Sequence, residues 1–525
     1  MTSHSTEPHP TEPHSTEDAQ VWLRRSFWLV SLLLVIRVLF AAMVPLDLVP
    51  DEAYYWDWSR QLDWCYFSKP PLIAWLIALG TSVGGSTTLS VRMPAVLLGT
   101  VGLLWLYLLG ARMYGPRVGF WAMLLTAATP GNAVLGLLMT IDAPFLFCWS
   151  GALYCGWRFL ERGAHPYRWL AAATVMTGLG LLAKETMLGF LPLVGLFLLT
   201  GAADRRELLR PAFWIWVVGA LLFWTPVVWW NSDHDWITFR HSSTHFEPQA
   251  EGWLRPLALC GEFLGCQLGV VSPVTCGLFA VVSAVALRYF WRLGRRERFL
   301  ICFSGLPMLG VVGLSLLRRV QPNWPAGFYP AGIVLVAGWA LGQVELASHL
   351  RIRPRALLHA VIVGAVMVVG MYLMAFGWGI RGKSFDVAAR LRGWASLGQA
   401  VGQRLAELPR PNRTLVVVTT ERDTVSELAF YIPVQPRVYF WNSEGNVGSQ
   451  YDVWGGPREA EGWDALIVTG CEKEPPAALA AAFADIQREG NVRVPIGNQR
   501  SHAYRLWRGS GLQEWPVRPP PVQPR

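Results

Sequence analysis

Long apolar runs separated by short, arginine-bearing loops dominate the first three quarters of the chain. The first run covers residues 26–44. Ten more begin near Arg92, Val118, Ala143, Trp169, Thr186, Pro211, Phe263, Phe299, Pro325 and Leu357. Each is long enough, or nearly so, to cross about 30 Å of hydrocarbon as a helix. The pattern therefore predicts a polytopic α-helical membrane protein with about eleven transmembrane helices. Residues 72–83 are equally apolar but shorter, and read as a helix lying in the interface. The polar start of the chain, with its repeated STEPH-like units, cannot bury a core and reads as a disordered tail over residues 1–22. His4, His9 and His14 belong to it. The run at 26–44 is too long, and wrongly flanked, for a cleaved signal peptide, and reads as a retained anchor.

The periodicity changes after Ile380. Residues 414–420, 437–441 and 464–469 read as strands, and 424–431 and 477–487 as helices. Strand alternating with helix predicts a small α/β domain over 381–510. The proline-rich stretch 511–525 reads as a loose tail. The intervening residues, 23–380, form the membrane domain, in which no internal repeat is apparent.

Composition agrees. Of 525 residues only 15% are charged and 53% are hydrophobic, with 28 Trp; ordinary soluble domains carry about 25% charged residues. A soluble enzyme, a disordered chain and a disulfide scaffold are excluded. The net charge of +9 is explained by arginine-rich cytoplasmic loops and calls for no nucleic-acid partner. Most of the cysteines sit inside apolar runs without metal-type spacing and read as packing residues.

Lys/Arg asymmetry gives the orientation. With the N-terminus inside, the inner loops hold eighteen Lys and Arg against seven in the outer loops. The first loop, residues 45–71, and the α/β domain then both lie outside. This predicts a multi-pass protein of a bacterial inner membrane with a cytoplasmic N-terminus.

The first outer loop, LVPDEAYYWDWSRQLDWCYFSKPP, carries the strongest chemical signal. Asp51 and Glu52 could act as general base, metal ligand or solvated loop charge. Tyr54, Tyr55, Trp56, Trp58, Trp64, Tyr66 and Phe67 read as an aromatic surface, suited both to the membrane interface and to sugar rings. Lys69 precedes two prolines that stiffen the backbone. Topology brings Asp142 and Lys184 to the same side. Asp142 reads as a helix cap or a site residue; Lys184 reads as a snorkelling lysine or a phosphate-binding one. Arg37 and Arg92 are structural pairs or headgroup contacts. The loop 231–253 holds His234, His241 and His245, whose spacing matches no strong metal motif. The polar, proline-interrupted segment 318–330, which includes Asn323, reads as the lining of a cavity. No P-loop or dinucleotide motif is placed where it could work.

DEAYYW, YFSKPPLIAWL and SVRMPAVLLG, followed by TIDAPF, LLAKET and QPNWPA, resemble the bacterial family 39 glycosyltransferases of the GT-C fold. That family includes lipid A aminoarabinose transferases and relatives of the protein O-mannosyltransferases. The resemblance covers about residues 26–380. It implies a polyprenyl-phosphate-linked sugar donor, an active site at the outer membrane face and a catalytic carboxylate at Asp51. It places Glu52, Tyr55, Lys69, Asp142 and Lys184 around that site. Ser68 stands where many members carry an acidic residue able to hold a metal. A divalent cation therefore stays an open matter, with Glu52 and His234 as candidates to hold one.

Together these readings give an inverting sugar transferase. Asp51, with Glu52, serves as the base. Lys69, Lys184 and Tyr55 hold the donor phosphate, and Asp142, Arg92 and Asn323 hold substrate. The acceptor is lipid A, another glycolipid, a polysaccharide or a protein. The alternative from another class is a secondary transporter, which fits the many spans but lacks the paired repeats and midplane charges such proteins show. The orientation predicts that a cysteine placed at Gly445 is labelled by an impermeant reagent from outside, and one at Ala203 is not. Equal or reversed labelling would overturn the shared outer face.

Overall fold

The computed structural model describes residues 16–244, 246–247, 254–346, 353–377, 383, 386, 388–496 and 501–516. Among these, five helices are long and apolar enough to cross a membrane: Glu17–Met43, Thr88–Tyr114, Pro211–Asp233, Arg295–Ser315 and Pro354–Ala375. The first presents Phe27, Trp28, Leu32, Val35 and Leu39 outward. Apolar side chains on the outside of a helix bundle are what a lipid solvent requires. The helix starts at Thr16, within the stretch read as a tail; residues 1–15, with His4, His9 and His14, lie outside the described residues, as does His245. Proline opens many helices, among them Pro116–Ala127, Pro166–Ala183, Pro211–Leu222 and Pro354–Ala375. It lacks the N–H that a first turn leaves unused.

The remaining predicted spans are shorter or broken, and the breaks have local causes. The run near Phe263 is two helices, Arg255–Val271 and Pro273–Arg288, meeting at 114°. Ser272 between them has φ +73°, and Pro273 cannot donate the bond that would continue the first helix. The run near Val118 stops at Ala127 and restarts as Pro130–Leu135, capped by the Thr129 hydroxyl, which accepts from Asn132 N. The runs near Thr186 and Pro325 open with 3-10 turns, Glu185–Gly189 and Trp324–Phe328. Asp142–Leu160 is almost wholly buried, and its neighbour is Pro166–Ala183. Inside the bundle Arg37 is buried and structural, donating to Thr100 Oγ1 at 3.1 Å and Asn132 Oδ1 at 2.6 Å. Residues 72–83 form the short apolar helix Leu72–Gly84.

The C-terminal part is a five-stranded sheet of order β2-β1-β3-β5-β4. The strands are β1 (Thr414–Val418), β2 (Val438–Phe440), β3 (Asp464–Gly470), β4 (Phe483–Pro495) and β5 (Ser501–Leu512). The first three are parallel, and β5 pairs antiparallel with both β3 and β4. Arg422–Tyr431 is the helix read at 424–431. The helix read over 477–487 is a correction: only Ala477–Ala480 is helical, and the chain enters β4 at Phe483. Four residues of alanine and leucine favour helix locally, but the following segment pairs with β5, and that long-range pairing overrides propensity. Strand β5 ends at Leu512, and residues 517–525 lie outside the described residues.

The loop after the first long helix is sandwiched between the helix bundle and this sheet domain. Its helix Pro50–Ser59 packs on Arg422–Tyr431. Tyr431 Oη accepts from Leu48 N at 2.7 Å, Asp47 Oδ2 from Trp394 N at 2.8 Å, and Gln450 Oε1 from Phe67 N at 2.6 Å. Below, Glu52 is fully buried. It accepts from Arg92 Nη2 at 2.9 Å, Met139 N at 2.8 Å and Val49 N at 3.0 Å. Arg92 also donates to the carbonyls of Asp47 at 2.8 Å and Leu46 at 3.4 Å. Breaking one side of a buried pair leaves a buried charge unmatched, at a cost of about 3–5 kcal/mol. Glu52→Ala should therefore lower the thermal midpoint of the detergent-purified protein sharply, whereas Asp51→Ala should leave it nearly unchanged. Equal midpoints for the two variants would contradict the anchoring role.

Candidate active site

Asp51 and Glu52 are neighbours on the first turn of one helix, and the turn sends them in opposite directions. Successive helical residues are offset by about 100°. With Glu52 locked inward by Arg92, Asp51 faces out, its side chain 45% exposed. Its Oδ1 accepts from Arg422 Nη2 at 2.7 Å. Glu52 and Arg92, placed at the site by sequence, thus form its floor, and their polar atoms are spent on each other and on the backbone.

Asp142 opens the helix Asp142–Leu160 and is buried. Its Oδ1 takes Lys184 Nζ at 2.7 Å, and its Oδ2 takes Asn323 Nδ2 at 2.6 Å. Three segments far apart in sequence meet here. Lys184 reaches this point because the chain is extended at that residue, between Pro166–Ala183 and the turn Glu185–Gly189. Its ammonium also lies 5.4 Å from the Phe145 ring centroid. Lys184 is therefore an ion-paired residue and not a snorkelling one, and an ammonium retains further N–H donors beyond the one used here.

Lys69 stands between these groups. Asp51, Asp142, Lys184 and Glu185 all act on it electrostatically. Burial pushes its ammonium below the ordinary lysine value; Glu185 opposes that and Lys184 adds to it. No ion pair joins Lys69 to a described residue, and the carboxylates that act on it are Glu185, Asp51 and Asp142. Tyr55 is buried beside Asp51 and Asp142. Burial first, and then Asp51, push its hydroxyl well above the ordinary value, so it stays a neutral donor. The loop that carries Lys69 is held from behind. Trp230 Nε1 donates to Asp63 Oδ2 at 2.8 Å, and Thr238 Oγ1 donates to the Tyr66 carbonyl at 2.9 Å.

The aromatic residues behave differently from the surface read in the sequence. Tyr54, Tyr55, Trp56, Trp58, Tyr66 and Phe67 are all buried. Trp58 stacks on Tyr66 at 4.4 Å, and Trp56 meets Phe430 edge-on at 4.8 Å. The sheet domain covers them, so they form a core and only Trp64 is exposed. His234 stacks on Trp230 at 3.8 Å, and its Nδ1 is 2.8 Å from the Trp230 carbonyl. That places it in packing, apart from Glu52. Among the described residues no three His, Cys, Asp or Glu gather as a metal ligand set.

Two site residues escaped the sequence reading. Glu185, which accepts from Ser242 Oγ at 2.6 Å, follows Lys184 in the same motif and could have been suspected from it. Arg422 carries no local signal, because only the docking of the sheet domain brings it to Asp51.

Residues 68–230 match the family described as dolichyl-phosphate-mannose-protein mannosyltransferase. The lipid A galacturonosyltransferase RgtD of Rhizobium johnstonii is 28% identical over 458 residues, which are 84% of this chain and 91% of that protein. The undecaprenyl phosphate-alpha-4-amino-4-deoxy-L-arabinose arabinosyl transferase of Pseudomonas paraeruginosa is 32% identical over 206 residues, 35% of this chain and 37% of that protein. The crystal structure of ArnT from Cupriavidus metallidurans in the apo state superposes with a TM-score of 0.62 at 16% identity, covering 94% of this chain and 98% of that one. Its complex with undecaprenyl phosphate gives 0.61 at 17% identity, with the same coverage. The chain is thus similar to the bacterial family 39 glycosyltransferases, as its first-loop motifs suggest, and it has their GT-C fold.

Proposed function

We propose that this protein is an inverting membrane glycosyltransferase that moves a sugar from a polyprenyl-phosphate donor to an extracytoplasmic glycolipid of the lipid A type. The observation that carries this is the gathering of Asp51, Lys69, Asp142 and Lys184, from three separate segments, on one side of the bundle beneath the sheet domain. The acceptor hydroxyl gives its proton to Asp51, whose Oδ1 is engaged and whose other oxygen is open. The resulting oxygen attacks the anomeric carbon opposite the phosphate, the bond from that carbon to the phosphate oxygen breaks, and the configuration inverts. Negative charge grows on the leaving phosphate, and Lys69 and Lys184 meet it. In a dry, low-dielectric site such preplaced charges count for far more than in water. Tyr55 adds a neutral hydroxyl donor at the same place. Asp142 and Asn323 hold Lys184 in position, and Arg92 acts on substrate only through the floor that it forms with Glu52.

The names of the relatives support the substrate classes: RgtD is a lipid A galacturonosyltransferase, and ArnT has been seen with undecaprenyl phosphate. For the membrane arrangement we retain eleven crossings in an inner membrane, with the broken helices counted as spans, the N-terminus cytoplasmic and the sheet domain outside. The Lys/Arg asymmetry supports it.

Asp51→Asn keeps size and hydrogen bonding but removes proton acceptance. Transfer from a lipid-linked donor should fall by roughly 10²–10⁴-fold, with normal insertion and an unchanged thermal midpoint. Near-wild-type turnover in Asp51→Asn, measured by mass spectrometry of the glycosylated acceptor, would remove Asp51 as the base.

A further inference from the structure

The half-exposed Asp51 carboxylate has one ion-pair partner among the described residues, and that partner belongs to the sheet domain. Arg422 lies at the start of the helix Arg422–Tyr431, some 370 residues along the chain from Asp51. Resting on the proposed transferase reading, we propose that Arg422 is a positioning residue for the base, so that the C-terminal domain is a working part of the active site.

Three features of the geometry carry this. First, the contact is one-sided. Nη2 of Arg422 reaches Oδ1 of Asp51 at 2.7 Å. This fixes the carboxylate's rotation while leaving Oδ2 open to receive a proton. Asp51 needs such a partner, because the anchored Glu52 fixes the backbone of the turn but not the Asp51 side chain. Second, the guanidinium is itself held. It lies over the Tyr54 ring, 4.7 Å from the centroid, and its Nε is 3.3 Å from Asp423 Oδ1. The Tyr54 hydroxyl accepts from Gln450 N at 2.5 Å, so the same domain locks both the arginine and the ring beneath it. A flat guanidinium on an aromatic face is a pre-organised fork that a lysine does not reproduce. Third, the charge balance needs it. Glu421 and Asp423 flank Arg422 in the sequence, and Asp423 and Asp51 repel each other. Without the guanidinium the base would be turned away from the Asp423 carboxylate.

The pair is also cheap to remove. The Arg422 and Asp51 side chains are 38% and 45% exposed, and ion pairs this open contribute little to stability. A structural role and a positioning role therefore predict different results. With purified full-length protein, a polyprenyl-phosphate sugar donor and a lipid A acceptor, Arg422→Gln should lower kcat by roughly 10²-fold, as expected for a misplaced reacting group. The donor KM and the thermal midpoint should stay close to wild type. Arg422→Lys should recover part of kcat, and millimolar guanidinium ion should restore activity to Arg422→Ala while doing nothing for Asp51→Asn. Wild-type kcat in Arg422→Gln would overturn the proposal. So would a loss that tracks a lowered midpoint and yields neither to lysine nor to guanidinium. If the wild-type protein transfers no sugar from any lipid-linked donor, the transferase reading falls and this inference with it; if wild type is active and Arg422 is silent, only the inference falls.

Discussion

The buried pair between Glu52 and Arg92 decides what the rest of the site can do. Two charges removed from water must satisfy each other fully or they destabilise the fold. Here each carboxylate oxygen has partners: the guanidinium, and the backbone N–H groups of Val49 and Met139. That arrangement ties the loop after the first helix to the helix Thr88–Val101 and to the turn before Asp142. Because helical geometry separates neighbouring side chains, pinning Glu52 inward fixes Asp51 outward. The DE dipeptide is thus one anchored and one outward-facing carboxylate, set apart by direction and not by intrinsic chemistry. A second polar node, Asp142 with Lys184 and Asn323, fixes the opposite wall in the same way. Lys69 between them is left with charge to offer.

The sheet domain supplies the roof. It buries the aromatic residues of the first loop, donates backbone N–H groups to Asp47 and Tyr54, accepts the Leu48 N–H at the Tyr431 hydroxyl, and brings Arg422 to Asp51. An open loop at a membrane surface would leave Asp51 mobile. Clamped between bundle and sheet, it is held by packing on one side and charge on the other. This agrees with the general demand that a reacting group be placed by neighbours whose own positions are fixed.

Much of this was legible in the chain. Apolar run length showed the membrane class, and three strands were readable from short runs alternating with helical ones, though not their parallel pairing. Of the candidate site residues, Asp51 stood out through its carboxylate and aromatic neighbours, Lys69 through the prolines after it, Asp142 through topology, and Lys184 because charge at the end of an apolar run is costly. What the pattern could not show depended on contacts between distant segments. Glu52 and Asp51 look alike in sequence, and only Arg92 and Met139 separate them. The aromatic loop looked like a surface because the domain that covers it lies hundreds of residues away. The bend at Ser272 and the β4–β5 hairpin were hidden for related reasons: one rests on a single positive φ, the other on a strand whose partner follows it.

The account turns on sugar transfer to an envelope glycolipid, and the most direct test reads that product. Mass spectrometry of the envelope lipids, comparing cells that make the protein with cells that lack it, should show one sugar mass missing from a lipid A-type glycolipid when the protein is absent. The sugar should return on re-expression of the wild-type chain. Identical lipid and glycan profiles in the two cells would contradict the transferase account.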